Sequence, residues 1–266
     1  MTSAKEWNPA LYSPELLRKN LQDYDHKSYG MIILNQPLEH VSYVINAEER
    51  SDCVVCADGG ANRLFDLHRR AIAQGFRHED DLNMPRAVIG DLDSINPEVR
   101  RYYAEAGVIV VQDTNQYATD LRKCLHYVKR TMTPSQTSFD IVIFGSLSGR
   151  ADQAFSQIHH LYLANSDPEL KPPGTVFLIT PESILFLLEP GLNVISTPVR
   201  KGMFTENVGI IPIGKPAIIT TRGLEWDVTY WLTDFGSQVS TSNHIKQERV
   251  EVETSGNIIF TMEFAR

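Results

Sequence analysis

The sequence predicts two parts: an N-terminal α/β domain built on a parallel sheet, residues 1–172, and a C-terminal all-β domain of the sandwich or barrel type, residues 173–266. Two observations carry this. Between Met31 and Phe144, short apolar runs alternate with stretches whose apolar residues recur at helical spacing, the pattern of a sheet covered by helices. Beyond Lys171-Pro172-Pro173-Gly174 the helical spacing stops, and strand-like pieces punctuated by Gly, Pro, Asn and Thr take over.

The first 30 residues, with Pro9 and Pro14, show neither pattern and stand as an N-terminal extension. Five strands follow: Met31-Ile32-Ile33-Leu34, Cys53-Val54-Val55-Cys56, Ala87-Val88-Ile89, Val108-Ile109-Val110-Val111 and Ile141-Val142-Ile143-Phe144. Each is apolar on both faces, as a covered parallel strand must be. Helices are expected where Leu64, Leu67, His68 and Ala71, then Leu121, Leu125 and Val128, then Ala154, Ile158 and Leu161 share a face. In the β part, Thr175 to Ile179, Ile184 to Leu188, Asn193 to Thr197, Val208 to Ile213, Ala217 to Thr220, Val250 to Glu253 and Ile258 to Met262 read as strands.

With 266 residues the chain can bury its cores without disulfides or a structural metal. The 25 Lys and Arg against 33 Asp and Glu give a net charge of −8, the wrong sign for coating nucleic acid. No apolar run reaches the roughly 18 residues of a membrane span, and the N-terminal residues do not lead into a signal-type core, so a cytoplasmic protein is expected. Cys53 and Cys56 lie within one strand run and are expected to be buried structural thiols.

Ligands of an open parallel sheet bind beyond the carboxyl ends of its strands. Here those ends read Asp58-Gly59-Gly60-Ala61-Asn62-Arg63, Gly90-Asp91-Leu92-Asp93-Ser94, Asp113-Thr114-Asn115-Gln116 and Gly145-Ser146-Leu147-Ser148-Gly149-Arg150-Ala151-Asp152. Asp91 and Asp93, one residue apart, can turn toward one ion, and hard oxygen ligands in a loop suit Mg²⁺. The glycines after Asp58 let backbone amides approach phosphate. Thr119 is a candidate N-cap, and Asp120 and Lys123 put a carboxylate and a cation on one helix face. Arg150 suits forked contacts with phosphate. His159 and His160, adjacent in a helix, are expected to be packing or surface residues.

Taken together, Ala57 to Arg63, Gly90 to Ser94, Thr119-Asp120 with Lys123, and Gly149-Arg150-Ala151-Asp152 resemble the thiamine pyrophosphokinase family, as do Thr221-Arg222-Gly223-Leu224-Glu225-Trp226 and Val239-Ser240-Thr241-Ser242-Asn243 in the β part. The resemblance runs from about residue 31 to the end. It implies transfer of the pyrophosphoryl group of ATP to thiamine, giving thiamine diphosphate and AMP. It implies that Asp58, Asp91, Asp93 and Asp120 hold Mg²⁺ and ATP phosphates, with Asp91, Asp93, Asp120 and Arg150 catalytic. Gly59, Asn62, Arg63, Gln116, Thr119, Lys123, Arg150 and Asp152 would position the nucleotide, and Ser240, Ser242 and Asn243 would lie by thiamine. It also implies a homodimer whose sites combine the nucleotide domain of one subunit with the β domain of the other.

The chain departs from the family pattern in Asn115-Gln116-Tyr117-Ala118, where an acidic stretch is common, in Gln153, where many members carry His, and in His244-Ile245-Lys246, where some members place a tryptophan. Two other readings compete. A haloacid-dehalogenase-like phosphohydrolase would use Asp91 as nucleophile and Asp93 as acid, with no role for Asp58-Gly59-Gly60. A non-catalytic thiamine or nucleotide sensor would keep the pocket without turnover.

Overall fold

The protein is described as a computed structural model covering residues 4–18, 27–132 and 138–265. Strand β1 (Lys5–Trp7) and helix α1 (Pro14–Arg18) come first. The chain divides into two compact units, one running to Pro181 and the other comprising the described residues up to 18 together with Glu182 onward.

The α/β unit alternates β2 (Tyr29–Ile33), α2 (Val41–Arg50), β3 (Cys53–Ala57), α3 (Gly60–Ala73), β4 (Ala87–Gly90), α4 (Pro97–Glu105), β5 (Ile109–Gln112), α5 (Asp120–Met132), β6 (Asp140–Phe144), α6 (Ala151–Ser166) and β7 (Val176–Ile179). Its strands lie in the order β7-β6-β2-β3-β4-β5, every adjacent pair parallel. The chain moves outward from β2 through β3 and β4 to β5, then returns to place β6 and β7 on the other side of β2. The direction therefore reverses between β2 and β6, and the loops leaving those two strands part to open a crevice there.

Burial explains the elements. All residues of β2, β3 and β6 are buried, which accounts for their unbroken apolar sequence. Edge strand β5 is the exception: Ile109 is 48% exposed, because no further strand covers it. Helix α3 buries Leu64, Leu67, His68 and Ala71 as their spacing predicts, and each leucine contributes about 1.5–3 kcal/mol of transfer free energy. Helix α5 does the same with Leu121, Cys124, Leu125 and Val128. Helix α6 differs from expectation: its buried face is Gln157, His160, Leu161 and Ala164, whereas Phe155 is exposed. The predicted face was displaced because two polar residues, Gln157 and His160, are inside with hydrogen-bond partners of their own. Gly60 allows α3 to start against β2, since a Cβ there would sit 2.2 Å from the carbonyl oxygen of Ile33.

The second unit contains β8 (Ser183–Leu188), β9 (Gly191–Ser196), β10 (Phe204–Ile211), β11 (Ala217–Arg222), β12 (Trp231–Thr233), β13 (Ser240–His244), β14 (Arg249–Thr254) and β15 (Ile258–Phe264). One sheet carries β13-β10-β15-β8, antiparallel throughout. The other has the order β1-β9-β14-β11-β12, antiparallel except where β1 runs parallel to β9. Trp7 and Phe186, one from each sheet, meet at 5.1 Å between ring centroids, and Phe186 meets Phe260 at 5.6 Å. The result is the sandwich expected from sequence.

The boundaries differ from those predicted. Lys5–Trp7 belongs to the sandwich because it pairs with β9 and because the Trp7 indole N–H donates to buried Asn193 at 2.9 Å. β7 belongs to the α/β unit because it extends the parallel sheet beside β6. Sequence reading also missed β12, which has only three residues, and β13, whose polar composition hides it.

Candidate active site

The strand ends of the α/β unit converge three carboxylates. Asp58, directly after β3, has a positive φ of 42° and is buried. Its backbone N–H donates to Ile89 on neighbouring β4, and its carboxylate accepts the amides of Ser94 at 3.1 Å and Ile95 at 3.0 Å. Burial outweighs those amides and pushes its pKa up to about 6. Gly90 makes the approach possible: a Cβ there would fall 2.6 Å from Cβ of Asp58 and 3.1 Å from an oxygen of Asp120.

Asp91 follows β4. It accepts the side-chain amide of Gln116 at 3.3 Å and the backbone N–H of Asp93, also at 3.3 Å, and the Gln116 bond leads the causes that hold its pKa below the usual carboxylate value. Leu92, between the two aspartates, has φ of 64°, a turn that separates their side chains. Oxygens of Asp58, Asp91 and Asp120 lie within 4.8 Å of one another; Asp93 is not part of that group and instead accepts the hydroxyl of Ser94 at 2.8 Å.

Asp120 opens α5. Burial raises its pKa, opposed by Lys123, whose ammonium donates to it at 3.2 Å and to the carbonyl of Asp113 at 2.8 Å. Lys123 is buried, so the pair is one the sequence reading joined correctly. The hydroxyl of Thr119 accepts the N–H of Arg122 at 3.2 Å, the predicted N-cap. That hydroxyl also meets Nε2 of His160 at 2.9 Å, while Nδ1 of His160 faces the carbonyl of Ser156 at 2.6 Å. The carbonyl can only accept, so Nδ1 carries the proton and Nε2 takes the Thr119 O–H. Burial lowers the pKa of His160 and favours that neutral form.

Other predicted residues brace the site. Asn62 donates to the carbonyl of Ser94 and accepts the amide of Asn96, both at 2.9 Å, tying α3 to the Asp91 loop. Arg63 donates through Nε to Asn35 at 2.9 Å. Gly59 is packed against Asn35, where a Cβ would fall 2.3 Å from its amide nitrogen. Arg150 is 75% exposed and forks onto Asp152, with Nε–Oδ1 3.1 Å and Nη2–Oδ2 2.6 Å; each holds the other charged, raising the arginine's pKa and lowering the aspartate's. The fork expected to face phosphate thus faces its neighbour.

A cavity of about 280 Å³ collects these groups; its lining includes Asp58, Asp120 and Arg150 together with Asn35, Gln36 and Gln153. Asn35 and Gln36 were missed. They follow the first strand of the sheet, and the strand-end rule applied there, at the edge of the crevice, finds them. Gln157 was also missed; its buried side-chain oxygen accepts the amide of Leu147 at 2.6 Å, fixing the β6–α6 loop. Cys53 and Cys56 are free and buried, and burial lifts Cys53 to about 11, so neither is a reactive thiol.

The β unit holds a separate cavity of about 250 Å³, bordered by Trp226, Trp231, Ser240 and Asn243. Asn243 is buried and holds the opposite loop: its amide donates to the carbonyl of Trp226 at 3.0 Å, and its oxygen accepts the N–H of Trp226 at 3.2 Å. Asp227 accepts the amides of Gly223 and Leu224 at 3.0 and 3.1 Å. Ser242 is exposed with φ of 55°, and among the described residues it is not part of this lining.

The thiamin pyrophosphokinase catalytic-domain family model matches residues 45–171, and the model of the thiamin pyrophosphokinase vitamin B1 binding domain matches residues 193–259. Thiamine pyrophosphokinase 3 of Oryza sativa subsp. japonica is 31% identical over 245 residues, covering 88% of this chain and 86% of the relative. The chain belongs to the thiamine pyrophosphokinase family. The family's yeast member, thiamine pyrophosphokinase of Saccharomyces cerevisiae, is 27% identical over 293 residues, with coverage of 93% and 89%. The solved structure of thiamin pyrophosphokinase from Candida albicans superposes with a TM-score of 0.81 at 26% identity, over 99% of this chain and 94% of that one. Both halves of the sequence resemblance thus fall on family domains, the catalytic match on the carboxylate unit and the vitamin B1 match on the sandwich.

Proposed function

We propose that this chain transfers the pyrophosphoryl group of ATP to thiamine, giving thiamine diphosphate and AMP. The observation that carries the reading is the group of Asp58, Asp91 and Asp120, with oxygens within 4.8 Å of one another at the ends of parallel strands. Three carboxylates so close repel one another, and a hard oxygen donor set of this kind fits Mg²⁺, which takes waters and phosphate oxygens at its remaining positions. The ion, when bound, neutralises charge on the transferring phosphates.

The remaining work falls to the chain's own groups. The thiamine hydroxyl oxygen bonds to the β-phosphorus as the bridging oxygen leaves with AMP, and the hydroxyl proton goes to a carboxylate oxygen of Asp120. Arg150, released from Asp152, reaches the phosphates; Lys123 keeps Asp120 in place, and Gln116 does so for Asp91. Gly59, Asn62, Arg63 and Thr119 hold the loops that carry the nucleotide. In the sandwich, Trp226, Trp231, Ser240 and Asn243 border the thiamine subsite, with Ser242 at its margin, and the two tryptophans offer the aromatic faces a cationic ring system favours.

The apolar side chains of Trp226, Tyr230, Leu232 and Phe235 are all more than half exposed on this unit. Large apolar side chains exposed in this number support a homodimer in which the β unit of one subunit completes the nucleotide site of the other. No helix among the described residues is long and apolar enough to cross a membrane, and three free buried cysteines suit a reducing compartment; the cytoplasm is our assignment.

The test is formation of AMP and thiamine diphosphate from ATP, Mg²⁺ and thiamine, comparing wild type with folded Asp91→Asn and Asp120→Asn. Equal amounts of both products, lost in the variants, support the reading. Absence of thiamine-dependent AMP from folded protein sinks it. Mixing Asp120→Asn with Trp226→Ala chains tests the shared site, because only a dimer that combines two subunits regains an intact pair.

A further inference from the structure

The largest cavity described in the α/β unit, about 540 Å³, is not the carboxylate site. It lies between α3 and the segment after β2, and Arg63, Asp66, Arg69, Arg70 and Ala73 border it from the helix while Pro37, Leu38 and Glu39 border it from the segment. Positions 63, 66, 70 and 73 repeat at three and four residues, the outward stripe of the helix whose inward stripe is Leu64, Leu67 and Ala71. Three guanidiniums therefore gather at one notch on a chain whose net charge is −8.

None of the three is neutralised. Arg63 spends Nε on the side chain of Asn35, Arg70 donates one nitrogen to the carbonyl of Leu38, and among the described residues neither these nor Arg69 has a carboxylate within ion-pair distance. Asp66 and Glu39 border the notch but pair with none of them. Neutral partners at two of the arginines fix their direction and leave their charge and several N–H donors unspent. Planar forked donors in this number match the oxygens of a phosphate chain, and the walls of Pro37, Leu38 and Ala73 leave room for an apolar portion.

We propose that this notch is a second, metal-independent anion site that binds phosphate, either as free diphosphate or as the phosphate of a nucleotide. It shares the segment after β2 with the carboxylate cavity, which Asn35 and Gln36 line, so a bound anion bears on the loop that faces the nucleotide.

The experiment is calorimetric titration of the full chain with inorganic diphosphate, and separately with AMP, in EDTA. Without a cation, Asp58, Asp91 and Asp120 repel the anion and close the other cavity to it. The expected result is one saturable event per chain, weakened at least about tenfold by Arg69→Glu through loss of charge-assisted bonds, and weakened also by rising salt. Ala73→Trp, which fills the notch without altering charge, is expected to weaken it too, and Asp120→Asn to leave it unchanged. Tighter binding of diphosphate points to the free anion, tighter binding of AMP to a nucleotide tail. Binding that is indifferent to Arg69→Glu and Ala73→Trp, that tightens in Asp120→Asn, or that is absent at millimolar ligand overturns the proposal. Turnover plays no part in the readout, so the test stands apart from that of the pyrophosphoryl transfer.

Discussion

At the strand ends of the α/β unit, carboxylates face one another, whereas in the sandwich polar side chains face the backbone. Asp58, Asp91 and Asp120 stand together, and burial first, then the neighbouring carboxylates, makes Asp58 and Asp120 bind protons more tightly. Asn243, Thr221 and Asp227 do the reverse: each satisfies loop amides or carbonyls and leaves the tryptophans to form the cavity wall. One unit stores electrostatic free energy for a ligand to relieve, and the other spends polar groups on shape. A mutation should therefore cost activity in the first and geometry in the second.

The largest expected effect is on turnover. Asp120→Asn or Asp91→Asn removes charge stabilisation worth several kcal/mol, so kcat for AMP formation should fall on the order of 10³-fold. The metal-free Asp120→Asn protein should at the same time become more stable to heat, because burial disfavours the charge it loses, whereas Asp91→Asn, whose charge is favoured by Gln116, should not. An Asp120→Asn protein both inactive and less stable would put that aspartate among the structural residues and erase the contrast between the units.

Burial of Asp58, with the neighbouring carboxylates adding to it, predicts a pH dependence in EDTA. Asp58 holds its proton to about 6 when folded, against an ordinary value of 3.8. The folded state therefore binds more protons than the unfolded state in that interval, and stability contributed by the protonated carboxyl is full below about 4 and lost as pH rises through 6. The loss is on the order of 3 kcal/mol, read from urea denaturation midpoints between pH 4 and 7. Mg²⁺ added at pH 7 should restore stability, since the ion binds the folded, ionised site. A flat profile in EDTA would remove the stored repulsion from the account.

In the sandwich, Asn243→Ala should cost about 1–3 kcal/mol by leaving the amide and carbonyl of Trp226 unpaired. The KM for thiamine should rise while the KM for ATP holds. Trp226→Ala should raise the thiamine KM by about tenfold, with partial rescue by Trp226→Phe. Equal shifts for both substrates would mean that the aromatic wall serves the dimer rather than the acceptor.

What the sequence disclosed follows the same division. Asp58 and Asp91 were legible because each directly follows a buried strand, and Asp120 because it opens a helix with Lys123 on the same face; the structure brings the three together. Asp93 was grouped with them by spacing, but the turn at Leu92 sends its carboxylate to Ser94, a backbone detail that spacing does not encode. The pair formed by Arg150 and Asp152 and the bond from Thr119 to His160 depend on side-chain choices and were equally hidden. In the sandwich, β13 was invisible because Ser240-Thr241-Ser242-Asn243-His244 has no apolar alternation; it is a strand through its pairing with β10. The N-terminal strand was lost for another reason: Lys5–Trp7 has only three residues, and what fixes them is β9, nearly two hundred residues away.

The smallest effect tests where positioning stops and chemistry begins. Thr119 touches neither cavity carboxylate directly, yet its hydroxyl accepts the Arg122 amide, donates to His160 and stands one residue before Asp120. Thr119→Ala removes both bonds and should cost about 1 kcal/mol as a lost N-cap. Thr119→Ser keeps the hydroxyl and should restore most of it. If the cap matters only for stability, kcat at a temperature well below unfolding will not move. If the start of α5 sets the direction of Asp120, kcat will fall in Thr119→Ala with both KM values unchanged and return in Thr119→Ser, and His160→Ala will reproduce part of the loss because it frees the same hydroxyl from its acceptor. The second outcome is expected, since Asp120 is the first residue of that helix and has no bond other than that from Lys123 to hold its orientation among the described residues.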